Sequence, residues 1–373
     1  MPDSFAIVAN GLHGDGPAQA LRDYLVARDA DVLMVEHPLA AYEGGRHVLT
    51  TYERGSLVRE RTVRLPLRPP VSYAADPFVP LAVPRVDTWF GFNPLAAARG
   101  LAARRLRRAD RVVMWSVDFT PGRFGPGIAT RLYDRLDKRC CVRADARVEL
   151  SEAARDARNA RHGIAAPAEI VPMGTWLSRV PTASYAGKRV VFVGTLAPEK
   201  GIDVLLDALA LTDVEADIVG GGSLEHHVRE RVTQLGLAAR VRVHGFVPDH
   251  RDVERIVGDA SVAVAPYDPA ESSYARFADP GKLKTYVAAG LPVVLTAVPP
   301  NANELAREAG AEIVAFDAAA VARGVENALS NADDWRRRHE AALAYAARFD
   351  WERLLGDALP RLGIAIPATK PAT

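Results

Sequence analysis

The chain reads as an α/β protein of two doubly wound domains, each a parallel sheet covered by helices on both faces. Three observations predict this. Strand-like and helix-like segments alternate along nearly the whole length, and 373 residues exceed what one ordinary core supports. The alternation also lapses into a polar stretch, Ser178 to Gly187, before a second run begins. That stretch is read as the interdomain link.

In the first half, the apolar run Phe5 to Ala9 predicts a strand, Pro17 to Arg28 a helix with proline in its first turn, and Asp31 to Val35 a second strand. Between Glu43 and Pro84 helical periodicity fades into VLTTYERGSLVRERTVRLPLRPP, which suits a β-hairpin followed by a proline-rich loop. Regularity returns with a strand over Asp87 to Gly91, a helix from Pro94 to Arg108, a strand over Arg111 to Val117 and a helix from Gly127 to Cys141. Ser151 opens a helix to Arg161 without a full capping box, and Glu169 to Pro172 follows.

The second half starts with RVVFVGT after Lys188 and continues with a helix over Gly201 to Leu211, a strand over Ala216 to Val219 and a helix over Leu224 to Leu235. Arg240 to His244, Val253 to Gly258, Ser261 to Ala265, Leu283 to Ala289 and Pro292 to Leu295 keep the alternation, and Ala318 to Leu362 is helical. The tail GIAIPATKPAT has the composition of a disordered end.

Composition excludes several classes. A formal net charge of +1 gives no whole-molecule attraction to nucleic acid, so any basic behaviour must be local. The cations comprise 6 Lys and 41 Arg. The only cysteines, Cys140 and Cys141, are adjacent and make neither a disulfide framework nor a metal site, which suits a reducing cytoplasm. No run approaches about 18 consecutive apolar residues, so a soluble or peripheral protein is expected.

The most informative segment is DPGKLKTYVAAGLPVVLT, Asp279 to Thr296, a loop, a short helix and a buried strand joined by Gly290-Leu291-Pro292. It puts Lys282 and Lys284 at a helix opening, where free N–H groups and the helix dipole already favour anions. The implied ligand is a phosphate. In the first half, GLHGDGPAQAL follows the first strand and opens a helix, so Gly14 and Gly16 could admit a phosphate, or simply make a tight turn. Its G-x-x-G-x-G spacing differs from the dinucleotide fingerprint.

VVMWSVDFTPGRFG places Asp118 just past a strand's carboxyl end, where it could accept a proton from a hydroxyl, bond hydroxyl groups, or cap the turn. His13 and Asp15 are further candidates for proton handling. Trp89 and Trp115 suit core or cleft walls, and His226 and His227 a solvated helix face. The helix from Pro94 carries Arg99, Arg104, Arg105, Arg107, Arg108 and Arg111, with Leu95, Ala102, Leu106 and Ala109 as its apolar stripe. Its outer face, represented by Arg104, Arg105 and Arg108, either meets an anionic membrane surface or is simply solvated.

Several of these pieces, in order, resemble GT-B glycosyltransferases of the family 4-like type, the glycosyl transferases group 1. DPGKLKTYVAAG resembles the segment that holds the diphosphate and ribose of a sugar nucleotide, and VGTLAPEKGIDVLLDAL the opening of the nucleotide-binding domain. IVGGGSLEHHVRERVTQLGLAARVRVHGFVPDHRDVERIVGDASVAVAPY resembles the middle section, IVPMGTW the end of the N-terminal domain, and FDWERLLGDAL the closing helix that returns to it. The likeness is good over the C-terminal half and scattered over the N-terminal half. It implies a GT-B fold, two Rossmann-like domains facing a cleft, with residues 1–180 binding acceptor, 181–345 binding the nucleotide sugar, and 346–373 a helix and tail packing back on the first domain.

By this resemblance Lys200 is the phosphate-binding lysine, while Thr195 stands where an arginine is usual, with Lys282 as its replacement. Phe246 and Val247 meet the base through backbone groups, and Gly281 and Leu283 flank the lysine of the phosphate segment. Phe277 and Thr285 occupy the positions of an acidic pair, leaving Thr285 to bond a hydroxyl and Asp279 to offer a nearby carboxylate. Asp118 falls roughly where many of these enzymes carry a histidine near the donor sugar.

The implied activity is transfer of a hexose-like group from a nucleotide sugar to a hydroxyl of a glycan, glycolipid or small acceptor, as in polysaccharide or glycoconjugate biosynthesis. Lysines and amides would balance the leaving diphosphate, so neither a metal nor a further cofactor is expected. Retention is the family's commoner outcome, whereas Asp118 would suit an inverting base. The missing acidic pair keeps open a non-catalytic nucleotide- or glycan-binding subunit, and the shared fold keeps open a sugar-nucleotide epimerase.

Overall fold

The computed structural model describes residues 4–11, 16–38, 45–68, 71–74, 84–122, 124–185, 187–270 and 274–366. The chain forms two compact units, residues 1–172 with 354–373, and residues 173–353.

Unit 1 contains β1 (Ser4–Asn10), α1 (Pro17–Val26), β2 (Asp31–His37), β3 (Arg46–Glu53), β4 (Ser56–Arg64), β5 (Val86–Phe92), α2 (Asn93–Arg105), β6 (Ala109–Trp115), α3 (Ile128–Arg143), β7 (Ala146–Glu149), α4 (Glu152–His162) and β8 (Glu169–Ile170). Its strands form one sheet in the order β4-β3-β2-β1-β5-β6-β7-β8. β1 pairs in parallel with β2 and β5, so the strand order reverses beside β1. The expected hairpin is β3 and β4, antiparallel from Arg46 opposite Arg64 to Glu53 opposite Ser56.

The central strands are apolar because both faces are covered; Phe5 to Val8 and Val112 to Trp115 are almost wholly buried. Helix α2 lies close on β5 because Gly91 has no side chain: a Cβ there would come within 2.4 Å of the Ala97 backbone. The face that α2 buries differs from the expected stripe. It comprises Pro94, Ala96, Ala97, Arg99, Gly100, Leu101 and Ala103, whereas Ala102 is exposed and Leu106 is 72% exposed. Small residues permit the close approach, and the larger Leu106 is left beyond the helix end.

Unit 2 contains β9 (Arg189–Val193), α5 (Ile202–Ala210), β10 (Glu215–Val219), α6 (Glu225–Gln234), β11 (Val241–Gly245), α7 (His250–Gly258), β12 (Val262–Ala265), α8 (Gly281–Ala288), β13 (Val293–Leu295), α9 (Ala302–Glu308), β14 (Glu312–Ile313), α10 (Ala318–Leu329) and α11 (Ala332–Ala346). Its strands lie in the order β11-β10-β9-β12-β13-β14, and every pairing is parallel. The core is one cluster of Val, Leu, Ile and Ala from this sheet and its helices, joined by Phe192, Tyr286 and Trp335.

The stretch read as an interdomain link is part of unit 2 in its described residues. Val180 and Ala183 join the core, the Ala183 N–H donates to the Ala289 carbonyl at 2.8 Å, and the Tyr185 hydroxyl donates to the Leu329 carbonyl at 2.7 Å. Few but well-placed apolar residues anchor it, which a count of polar residues does not reveal. The last helix, α12 (Trp351–Arg361), leads into residues 354–373 of unit 1. There Leu355 and Leu359 are buried and Arg361 pairs with Glu169 at 2.6 Å.

Candidate functional site

In unit 2 the chain runs from β9 outward to β10 and β11, then returns to β12 on the other side of β9. The carboxyl end of β9 is therefore a topological switch point, the place where open parallel sheets bind ligands. The loop that leaves it, Gly194 to Gly201, is held from both directions. The Gly194 N–H donates to the Val219 carbonyl at 2.9 Å, and the Leu196 N–H to the Gly221 carbonyl at 2.9 Å. Gly220 must lack a side chain here, since a Cβ would lie 1.9 Å from the Gly194 carbonyl oxygen.

Lys200 ends a short 3-10 turn, Pro198–Lys200, and Gly201 converts that turn into α5. Gly201 has φ +67°, and a Cβ on it would stand 1.8 Å from the Pro266 carbonyl oxygen. This glycine fixes the direction of Lys200, whose side chain is buried, with Nζ 5.2 Å from the Tyr267 ring centre. Burial depresses its ammonium to about 8, against a smaller opposing influence of Glu199.

Lys282 arrives from the first turn of α8. Tyr286, one turn along the same face, accepts a hydrogen bond from the Val193 N–H at 2.7 Å and so ties α8 to the end of β9. That tie places the Lys282 Nζ 4.2 Å from the Phe192 ring centre and 4.6 Å from that of Tyr267. The Nζ is buried and has no hydrogen-bond partner among the described residues. Burial, then the neighbouring Lys200 charge, holds this ammonium well below its usual range. Two cations thus converge on one aromatic ring at the switch point, at an N-terminal helix end.

Lys284 has a different role from the phosphate contact expected of the helix opening. It is 2% exposed, pairs with Asp279 at 3.1 Å, and lies 3.8 Å from the Phe349 ring centre. Asp279 also accepts hydrogen bonds from the Met173 N–H at 2.8 Å and the Asn301 side-chain amide at 3.1 Å. Its carboxylate therefore braces the loop before α8.

The remaining candidates in unit 2 surround this centre to different degrees. Thr195 is exposed beside Gly194, Gly281 opens α8, and Thr285 is buried one turn on. Leu283 is wholly buried in the core, so only its backbone faces the helix opening. Phe246, after β11, is 49% exposed and adjoins the glycine loop, since a Cβ on Gly221 would lie 3.2 Å from the Phe246 Cβ. Val247 packs on the core. The sequence reading missed Tyr267 and Tyr286; only the tyrosine's spacing of four from Lys282 signalled the second.

In unit 1, His13 and Gly14 lie outside the described residues. Gly16 caps α1, its N–H donating to the Gln19 side chain at 3.2 Å, and its φ of −126° is open to any residue. Asp118 lies on the loop after β6. Its main-chain carbonyl accepts hydrogen bonds from the Ser116 hydroxyl at 3.1 Å and from Arg158 at 2.9 Å. Asn93, at φ +67°, accepts from the Val117 N–H at 3.1 Å through its side chain. Arg158, 1% exposed, pairs with Asp137 at 2.5 Å and Glu149 at 2.8 Å. Burial pushes the Asp137 carboxyl up, but the His162 hydrogen bond and the Arg158 charge outweigh it and leave it below its usual range.

The basic run of α2 divides. Arg99 is buried, its guanidinium 5.4 Å from the Trp89 ring centre and 3.2 Å from the His37 Nε2, so it does not join the outer face. Arg104 pairs with Asp145, while Arg105 and Arg108 are exposed. Cys140 and Cys141 are free and buried, and burial pushes both thiols up to about 12. Among the described residues no group of three or more His, Cys, Asp or Glu could hold a metal, and no helix is long and apolar enough to cross a membrane.

Residues 187–331 match the model of the family described as glycosyl transferases group 1. No curated protein matches the chain in sequence. The whole fold is similar to that of sucrose-phosphate synthase from Thermosynechococcus elongatus, at 17% identity and a TM-score of 0.72 over 96% of this chain and 99% of that one. Anabaena HepE in complex with UDP and glucose is similar at 16% identity and a TM-score of 0.71, over 97% and 99% of the two chains. A glycosyltransferase from Rickettsia africae is similar at 12% identity and a TM-score of 0.65, over 97% and 98%. The chain has the GT-B fold, and its segment 187–331 is similar to the glycosyl transferases group 1.

Proposed function

We propose that the chain is a glycosyltransferase that moves a sugar from a nucleoside-diphosphate donor to a hydroxyl of a glycan, glycolipid or other small acceptor. The observation that carries this reading is the pair Lys200 and Lys282 at the switch point of unit 2, two desolvated ammonium groups drawn to one ring. Two buried like charges oppose each other and both lose hydration, so the arrangement favours an anion between them. A diphosphate has the charge and the oxygen count to meet both, with N–H groups of the α8 opening on a third side.

Chemically, cleavage of the donor's glycosidic bond leaves negative charge on the diphosphate and oxocarbenium-like charge on the sugar. The lysines stabilise the first, and no divalent ion is needed in this scheme. The UDP held by HepE makes a uridine nucleotide the first donor class to test. Asp118 is assigned to the acceptor hydroxyl, as base or as orienting group. The setting proposed is glycoconjugate or polysaccharide biosynthesis in the cytoplasm.

Calorimetry with UDP, followed by incubation with a panel of sugar nucleotides, tests this. Binding of UDP with release of sugar from one donor is the expected result, and absence of nucleotide binding would sink it. A second reading has its own support, because Phe277 and Thr285 replace the acidic pair and Asp279 is occupied by internal partners. Binding without turnover on any donor would make the chain a nucleotide-binding subunit.

A further inference from the structure

Helix α3 of unit 1 presents an outward stripe whose chemistry differs from a plain solvated face. Ile128 is 68% and Leu132 57% exposed, and Phe124 in the preceding loop is 36% exposed. On the helix Ile128 and Leu132 lie one turn apart, and Arg135 and Arg139 beside them with Arg131 at the flank share the same outward face, all exposed. The acids of the helix do not offset these cations. Asp134 pairs with Arg161 at 2.6 Å, and Asp137 is buried against Arg158. Beside the stripe, α2 and α3 enclose a groove of about 360 Å³ with Ala98, Leu101, Ala102 and Leu136 as its floor and Arg105 and Arg139 at its rim.

We propose that this α2–α3 face docks on a lipid surface carrying anionic headgroups. The arginines meet headgroup phosphates, and Ile128, Leu132 and Phe124 enter the boundary with the acyl chains. Large apolar side chains alternating with cations, with no exposed acid among them, match an interface that is negatively charged outside and apolar just beneath. The proposal does not rest on the sugar-transfer reading. It also moves the contact from Arg104, which is held by Asp145, to α3 and the groove rim.

The test uses the full chain and phosphatidylcholine vesicles with or without phosphatidylglycerol, read by co-sedimentation. Wild type should sediment with the anionic vesicles and progressively less as salt rises. Arg131→Gln, Arg135→Gln and Arg139→Gln together should lower partitioning on the order of a hundredfold. Ile128→Ser with Leu132→Ser keeps the charge and should also lose binding, which purely electrostatic adsorption would not. All five positions are exposed, so an unchanged thermal midpoint assigns each loss to the surface. Wild-type protein that stays in the supernatant with anionic vesicles at low salt would overturn the proposal, as would capture of an acidic protein in place of vesicles, or variants that sediment like wild type. UDP binding, measured on the same samples, is expected to stay at the wild-type value in every variant.

Discussion

Lys282 and Lys200 direct their ammonium groups at the same tyrosine ring, Tyr267, at 4.6 and 5.2 Å from its centre. The first belongs to the opening of α8 and the second to the turn before α5, and the parallel pairing of β9 and β12, with the Tyr286 tie to Val193, brings these segments together.

Replacement of Lys282 by methionine should separate binding from stability. Methionine is one atom shorter but keeps the apolar stem beside the rings, while the unfavourable burial of an ammonium without a hydrogen bond disappears. The unliganded protein should melt at the same temperature or higher. Affinity for UDP should fall at least about tenfold, the effect of one charge-assisted hydrogen bond. Lys200→Ala should weaken UDP in the same direction. Wild-type affinity in either variant, measured by calorimetry, would remove that lysine from the phosphate site.

The depressed Lys200 predicts a pH dependence with a definite sign. Its folded value is about 8 against an ordinary 10.5, so between these limits the unfolded chain binds more protons than the folded one. Stability contributed by this group is reduced below about 8 and recovers as pH rises toward 10.5. Diphosphate reverses the preference because it favours the ammonium. Binding of UDP near pH 8 should therefore take up protons, and its affinity should decline as pH rises further. Calorimetry in two buffers of different ionisation enthalpy reads the uptake directly; identical enthalpies would contradict it.

How much of this was legible in the sequence depends on the length scale of the interaction. The alternation of elements, the α8 segment and the GT-B resemblance were readable because they are local patterns. That Lys282 enters the site and Lys284 the core was not, since residues two apart on a helix point about 200° apart and only packing chooses between them. Arg99 lay in a run of arginines and gave no sign that Trp89 and His37 would bury it. Strand β7 was missed because Arg147 and Glu149 look like surface residues; they are buried beside each other and Arg158.

Gly201→Ala should damage both the fold and the site. The position has φ +67°, and the added methyl would collide with the Pro266 carbonyl, which belongs to the backbone after β12 and has little room to yield. Destabilisation by more than about 1 kcal/mol is expected from the backbone conformation alone. The lowered melting temperature should be accompanied by weaker UDP binding, because Lys200 is the preceding residue. A variant that melts like wild type would show that the loop tolerates the shift.

Asp118 should act on turnover with little effect on nucleotide affinity. Both lysines assigned to the diphosphate belong to unit 2, whereas Asp118 stands on a unit 1 loop pinned through its backbone by Ser116 and Arg158 and through Val117 by Asn93. Because those bonds use main-chain groups, Asp118→Asn retains them and removes the carboxylate's charge. If the carboxylate takes or orients the acceptor proton, turnover should drop about 100-fold or more while UDP affinity stays near wild type. Asn93→Ala supplies the contrast: it removes a brace but no reacting group, so it should lower turnover less and lower thermal stability more. Equal turnover in Asp118→Asn and wild type would make Asp118 a turn residue and leave the base to be sought elsewhere.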